Sequence, residues 1–256
     1  MPEGDTIRRT ATLLRDALAG KRITDARPES LRRLTGSRVT DVEPVGKHLV
    51  MRFDNGLALH SHMRMRGLWQ VYRPGEPWRR PAWQMKAALE TEDAVAVCFA
   101  APIVELVRNV APLLSHLGPD ILAEDWDVAA VIERARELNQ APVGEVLLDQ
   151  RVTAGIGNVY RCEALWHQRV NPWTLTRDLA DEELSALFMT ARDAMRKNLR
   201  TWDRRFPGYG KGAVHGRRGR PCPRCGTLVR TRGLGELPRI VYWCPTCQPA
   251  AELMKS

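Results

Sequence analysis

Met1-Pro2-Glu3-Gly4-Asp5 places an amine and a carboxyl side by side. Removal of the initiator methionine, common when a small residue follows it, would leave Pro2 as the α-amine. Such an amine titrates near pH 8 (about 7.7–8.0), so much of it is neutral and nucleophilic at physiological pH. Neutral amines attack electrophilic carbon and form Schiff bases, and Glu3 can carry a proton beside that nucleophile. A solvated, frayed terminus is the other reading of the same residues. A second set is more specific. Cys222-Pro223-Arg224-Cys225 and Cys244-Pro245-Thr246-Cys247 are separated by 18 residues. Each Cys-x-x-Cys turn presents two thiolates to one point, the ligand set of a structural zinc site. A disulfide framework is not expected, because the chain shows no export signal. Cys98 and Cys162 fall in apolar contexts and are expected as buried free thiols.

Three further stretches could do chemistry or could play an ordinary structural part. Lys47 follows Gly46 at the head of a strand, where backbone can approach a ligand, although lysines there are commonly just solvated. In Ser61-His62-Met63-Arg64-Met65-Arg66-Gly67 a methionine could enter a base stack while arginines hold phosphates. Core filling by Met63 and Met65 is the alternative. Leu147 to Asn158 reads as a tight, glycine-containing turn between two helices. The N–H groups after Gly157 form an anion site that Asn158 could share, and a plain helical turn accounts for the segment as well.

The elements that must position these residues change character along the chain. Ile7, Ala11, Leu14 and Leu18 recur at helical spacing, predicting a helix over 4–19 with Glu3 at its start. Strand-like runs follow at 22–26, 39–45, 48–53, 56–61, 67–72, 83–90 and 94–99, with Asp54-Asn55-Gly56 as a hairpin turn. They predict a β-sandwich flanked by the first helix. Trp78-Arg79-Arg80-Pro81 reads as a surface loop. Pro112, Gly118-Pro119 and Asp120 punctuate a linker, after which helices are expected at 127–138, 142–149, 158–168 and 180–200. The fold class is α+β, with expected domains at 1–118, 119–210 and 211–256. Between the cysteine pairs a hairpin carries Arg230, Arg232 and Arg239, with Gly233 and Gly235 in its turn.

Net charge is +9, and its distribution matters more than the total. From Lys197 onward there are 13 Lys plus Arg against 3 Asp plus Glu, so this segment holds +10 and the rest sums to about −1. One basic terminal segment suits a polyanionic partner, although a solvated face can carry such a run too. No run of about 18 apolar residues spans a membrane, and no leader is read at the start, so the expected location is the cytoplasm.

Pro2-Glu3-Gly4, Gly46-Lys47, the Asp149-Gln150 to Gly157-Asn158 turn and the four-cysteine hairpin stand in one order. In that order the chain resembles the formamidopyrimidine-DNA glycosylase/endonuclease VIII family of base-excision repair enzymes over essentially its whole length. Glu3-Gly4 and Tyr242-Trp243-Cys244-Pro245 lean towards the endonuclease VIII branch. The resemblance implies an N-terminal β-sandwich, a helix–two-turn–helix domain and a zinc finger. It implies a monomer acting near the nucleoid on damaged DNA (duplex, bubble or single-stranded), bound between the halves. By resemblance Pro2 is the Schiff-base nucleophile at C1′, Glu3 the proton donor, Lys47 the assistant in β-elimination and Arg239 the phosphate contact supporting δ-elimination. Asn158 and Arg151 contact the backbone near the lesion, and Arg64-Met65-Arg66 fills the gap left by the flipped nucleotide. Two departures bear on this. Thr6 stands where the family usually has a second glutamate, and Ala101-Pro102-Ile103-Val104-Glu105 lacks the Arg-Phe wedge of the 8-oxoguanine-directed branch. The latter favours oxidised pyrimidines as substrates. Competing readings are a catalytically weakened zinc-dependent DNA-damage-binding protein, which Thr6 leaves open, and an RNA-binding zinc ribbon, which has no use for Pro2-Glu3.

Overall fold

Ile7, Ala11, Leu14 and Leu18 are all buried along one face of helix α1 (Gly4–Leu18). The helix ends where Gly20 adopts φ +78, and the Gly20 N–H donates to Val39 O at 2.8 Å. Residues 2–206, 208–235 and 238–250 are described by the computed structural model. The chain divides into two compact units, Met1–His116 and Leu117–Ser256.

In the first unit α1 is followed by eight strands: β1 (Asp25–Arg27), β2 (Val39–Val45), β3 (His48–Phe53), β4 (Ala58–His62), β5 (Leu68–Tyr72), β6 (Met85–Glu90), β7 (Val95–Phe99) and β8 (Ile103–Val107). They form two antiparallel four-stranded sheets, ordered β1-β6-β7-β5 and β2-β3-β4-β8. One core joins the inner faces of both sheets to α1, through residues such as Leu49, Met51 and Leu59 on one side and Leu89, Ala96 and Cys98 on the other. Alternating side chains of paired strands supply that interior. Two expectations change here. The first strand is Asp25–Arg27 rather than 22–26. The eighth strand was not anticipated: Ile103 to Val107 are all half-buried, so no inside–outside alternation announces them.

In the second unit the helices are α3 (Val128–Arg136), α4 (Val143–Val146), α5 (Asn158–His167) and α6 (Asp181–Asn198); a short α2 (Ala111–Leu114) precedes them in the first. Asp127 caps α3 by accepting from the Ala129 N–H at 3.0 Å. Leu184, Leu187 and Phe188 of α6 pack with Val131, Leu147, Tyr160 and Leu165 in one core. Strands β9 (Arg230–Leu234) and β10 (Arg239–Trp243) form the expected hairpin. Gly233 lies within β9, opposite Ile240, rather than in the turn, because pairing runs one residue further to Leu234–Arg239. No described helix is long and apolar enough to cross a membrane.

Gly118 fixes how the chain enters this unit. Its N–H donates to Gln150 O at 2.8 Å, and a Cβ would sit 2.3 Å from Arg151 O. Backbone on both sides leaves nothing flexible to yield. Gly118→Ala should therefore cost about 1–3 kcal/mol, seen as a lowered urea midpoint; an unchanged midpoint would show that the crossing relaxes freely.

Candidate functional site

The register of α1 on β2 carries the sequence-predicted residues of the first unit to one end. Arg15 donates to Asp41 Oδ1 at 3.1 Å and also to Val42 O. From there α1 runs back twelve residues to Glu3, about 18 Å, while β2 runs forward six to Lys47, about 20 Å. The two lengths match, so Pro2-Glu3 and Lys47 lie at the same end of the unit. Glu3 is fully buried at the N-cap, where its carbonyl receives the Thr6 and Ile7 N–H groups at 2.9 and 3.0 Å. Negative charge at that end of a helix is favoured by the dipole. Pro2 is half-buried. Lys47 lies in the two-residue turn between β2 and β3, whose first position, Gly46, takes φ +57 as such turns require. His48 pairs with His62 across β3 and β4, so the loop that leaves β4 starts at this end too. In that loop Met63 is core and Met65 is 66% exposed, a division of roles between the two methionines. Arg64 and Arg66 are exposed on either side, and Arg64 adopts φ +43.

A second cluster beside Lys47 was not anticipated. His48, His60, His62 and Glu105 share one face of the β2-β3-β4-β8 sheet, as their register requires. Glu105 Oε1 lies 2.8 Å from His60 Nδ1, and His60 Nε2 lies 2.8 Å from His48 Nδ1. A carboxylate accepting at His60 Nδ1 leaves His60 Nε2 as acceptor for His48 Nδ1–H. His48 Nε2 is then the lone-pair end of the chain. The His62 ring stands edge-on to His48 at 4.7 Å, and His116 lies at 6.2 Å. Burial, then the charges of His62, His60, His116 and Lys47, lower His48 to about 3. Burial, then Arg64, Lys47 and His60, lower His62 to about 4. The alternate spacing of His60 and His62 within a strand was the available signal; Glu105, on a strand that the pattern hides, gave none.

In the second unit the turn between α4 and α5 is held by Gln150. Its amide donates to Leu148 O at 2.7 Å and Ile156 O at 3.1 Å, while Oε1 accepts from the Gly155 N–H at 3.0 Å. Arg151 is exposed, with its guanidinium on Asp149 at 2.5 Å; that hydrogen bond holds the Asp149 carboxyl below the usual range. The Asn158 amide donates to Ile240 O at 2.9 Å and its oxygen accepts from Arg161, so this side chain ties the start of α5 to β10. Fully buried Arg161 also reaches Gly144 O and Ile240 O, at 3.2 and 3.3 Å. A hollow of about 420 Å³ is lined by Arg151, Arg161, Arg239, Glu145, Asp149 and neighbouring apolar side chains. The structure thus gathers Arg151 and Arg239 around one hollow and ties Asn158, at the start of α5, to the adjoining strand β10. Arg161 and Glu163 were missed. Both are buried charges inside an otherwise apolar helix, and that pattern was their signal.

Cys222, Cys225, Cys244 and Cys247 bring their sulfurs within 4.8 Å of one another. Three separations are 3.8, 3.4 and 3.5 Å. A tetrahedron of 2.3 Å metal–sulfur bonds has edges of about 3.8 Å, so the four thiols suit one metal ion. Trp166 Nε1–H donates to Cys222 Sγ at 3.4 Å. Cys98 and Cys162 are buried and unbridged, with burial raising them to about 12 and about 11; such thiols are unreactive.

Comparison with known proteins agrees with this arrangement. Family models for the formamidopyrimidine-DNA glycosylase N-terminal domain and H2TH domain match residues 1–102 and 117–205. A probable endonuclease 8 2 of Streptomyces coelicolor is 42% identical, covering 97% of this chain and 94% of the relative. A DNA-(apurinic or apyrimidinic site) lyase Nei2 of Mycolicibacterium smegmatis is 36% identical, covering 98% and 100%. The crystal structure of the MutM (Fpg) protein from Thermus thermophilus superimposes with a TM-score of 0.77 at 29% identity, over 96% of this chain and 98% of that one. A Lactococcus lactis Fpg mutant complexed with Fapy-dG-containing DNA has the same fold, with a TM-score of 0.81 at 22% identity, covering 97% and 100%.

The histidine cluster has a measurable consequence. His48 and His62 bind protons more weakly folded than unfolded, so their contribution is complete above about pH 6.5 and is lost as pH falls through the folded values near 4 and 3. Denaturant midpoints should decline from pH 7 to pH 4.5, and less steeply in a His48→Gln, His62→Gln double variant. Equal slopes would show that these imidazoles are not buried neutral.

Proposed function

The chain belongs to the formamidopyrimidine-DNA glycosylase/endonuclease VIII family, and from that premise we propose that it is a bifunctional DNA glycosylase and abasic-site lyase working through a Schiff base on Pro2. What supports the proposal is the lengths of α1 and β2 from their shared anchor and the His48–His62 pairing, which put Pro2-Glu3, the Lys47 turn and the start of the Arg64-Met65-Arg66 loop towards one end of the first unit. A damaged base must leave the stack before its sugar can be reached, at a cost of about a few kcal/mol. Met65, exposed between two cations, is suited to fill the gap while Arg64 and Arg66 neutralise phosphate.

With a free Pro2 nitrogen, the reaction balances. The Pro2 amine bonds to C1′ as the C1′–base bond breaks; the base leaves with that electron pair and takes up the proton that Pro2 gives up. Glu3 supplies a proton to O4′ as the C1′–O4′ bond opens, and the nitrogen lone pair forms an iminium with C1′. That iminium acidifies the C2′ hydrogens. Lys47 assists removal of one of them, and the 3′ phosphate leaves. A second elimination expels the 5′ phosphate, with Arg239 holding phosphate. Covalent attachment splits one hard step into several easier ones. Asn158 and Arg151 position the backbone in this scheme, and the protein acts as a monomer.

Oxidised pyrimidines are the proposed substrates. Ala101-Pro102-Ile103-Val104-Glu105 lacks an Arg-Phe wedge and from Ile103 onward is taken up in pairing with β4, which leaves the Met65 loop as the wedge. Zinc is the proposed metal of the four thiols, where it would hold the hairpin that presents Arg239. Bound zinc lends folding energy to such a hairpin. Chelation should release close to one zinc per chain and abolish DNA binding, as read by metal analysis and anisotropy; full binding after complete removal would refute a structural metal.

Borohydride adds hydride to a C=N bond and so freezes the covalent intermediate. Protein incubated with abasic-site DNA and borohydride should give a trapped complex whose DNA adduct maps by mass spectrometry to Pro2. Pro2→Gly should lower trapping at least about tenfold. An adduct on Lys47, or active protein with methionine still attached to Pro2, would overturn the assignment.

A further inference from the structure

Trp83 is 80% exposed and Met65 66% exposed, and both line a groove of about 670 Å³ on the first unit. Large apolar side chains standing together in solvent mark an interaction surface. The other side chains of the groove include Arg66, Arg80 and Lys86, and among the described residues no carboxylate lines it. All three cations are exposed.

The fold builds this groove at one end of the β1-β6-β7-β5 sheet. Leu68 of β5 and Met85 of β6 both pair with Phe99 of β7, so three strand ends meet there. The floor is backbone held by two hydrogen bonds: Ala100 N–H to Gln84 O and Gly67 N–H to Met63 O, each 2.8 Å. Gly67 admits that approach because a Cβ there would lie 2.7 Å from Met63 O and 2.9 Å from Ala101 Cα. The β6–β7 register shifts between Met85 and Ala87, a bulge at Lys86 that re-aims its side chain. Trp83 sits in a single 3₁₀ turn, Ala82–Gln84, entered from Pro81. The wall is therefore preset, and the apolar surfaces on it are flat and polarisable.

We propose that this groove binds a single-stranded stretch of DNA, with one unpaired base stacked on Trp83 and its backbone phosphates on Arg66, Arg80 and Lys86. Cations without carboxylates select a polyanion, and an exposed indole offers the face that any base can stack on. A duplex keeps its bases stacked on each other and gives Trp83 nothing to bind. The groove begins at Met65, so a strand separated beside the wedge is delivered directly to it. The assignment rests on the reading of the chain as a DNA-processing enzyme, and it makes partly unwound DNA the favoured substrate.

The test compares binding of the full-length protein to fluorescent single-stranded oligothymidine and to a blunt duplex of equal length. Trp83→Ala should weaken single-strand binding about 5- to 150-fold, the range for loss of one stacked base, and lower the ratio of single-strand to duplex affinity. Trp83→Phe should recover most of the loss, which a folding defect would not allow. Lys86→Ala should reduce the slope of log affinity against log salt by about 0.7, one single-strand phosphate contact. Undiminished binding by Trp83→Ala, an equal loss on duplex, or competition by an acidic peptide as effective as unlabelled oligothymidine would each overturn the proposal. Protein that fails the borohydride trap yet loses single-strand binding selectively would leave the groove standing without the lyase. Trapping without that loss would remove the groove alone.

Discussion

Helix α5 carries two buried opposite charges two positions apart, and the second unit is assembled on them. Arg161 donates its N–H groups to carbonyls of α4 and β10. Glu163 does the reverse, accepting the N–H groups of Ala213, Val214 and His215 at 2.8–3.0 Å. The Glu163 carboxylate is solvated by oriented backbone N–H groups, and Arg161 is held by backbone carbonyls together with the Asn158 oxygen. Burial raises the Glu163 carboxyl above its ordinary range, opposed by the three amide bonds. Removing either side chain leaves buried backbone groups without partners, at a cost of about 1–3 kcal/mol each. That cost makes the placement of β10 and of the 213–215 segment on α5 specific, where apolar packing alone would tolerate sliding.

The consequence reaches the polar residues around that helix. Asn158 begins α5, and its amide is bound to Ile240, next to Arg239. Arg239 is thus positioned by a helix on one side and by the four-thiol knuckles on the other, where Gln248 accepts from the Cys244 N–H and donates to Val170 O. A cation on an exposed hairpin has little reason to hold one position. Fixing the strand beneath it at both ends reduces the entropy lost when it meets a phosphate.

The parts of this arrangement legible in the sequence were those written in local pattern. Helical spacing gave α1 and α6 nearly to the residue, turn chemistry gave the β3–β4 hairpin, and Cys-x-x-Cys spacing gave the four-cysteine cluster. What stayed hidden depends on partners far along the chain. β8 is a strand only by virtue of pairing with β4, some 45 residues earlier at His60–Glu105. Arg161 looks like a surface arginine until the carbonyls of residues 144 and 240 converge on it. Trp83 begins the strand expected at 83–90, whereas the turn after Pro81 takes it out of the sheet and leaves it exposed. Matching lengths of α1 and β2 are equally invisible in either segment alone, yet they bring Pro2-Glu3 level with Lys47.

The threonine at position 6 can be understood in the same terms. Asp5 is fully buried and paired with Arg9 at 3.4 Å, one helical turn on. Thr6 joins that pair, donating to Asp5 Oδ1 and accepting from Arg9 Nη2, each at 3.4 Å. A glutamate at this position would compete with Asp5 for the same guanidinium, adding a second carboxylate beside a buried one. Thr6 supplies both hydrogen-bond roles without the charge. Asp5 thereby belongs to the packing of the helix, and Glu3 stands at the cap beside the proposed nucleophile. The departure from the family pattern at position 6 is thus accommodated by the packing of α1 around Asp5 and Arg9.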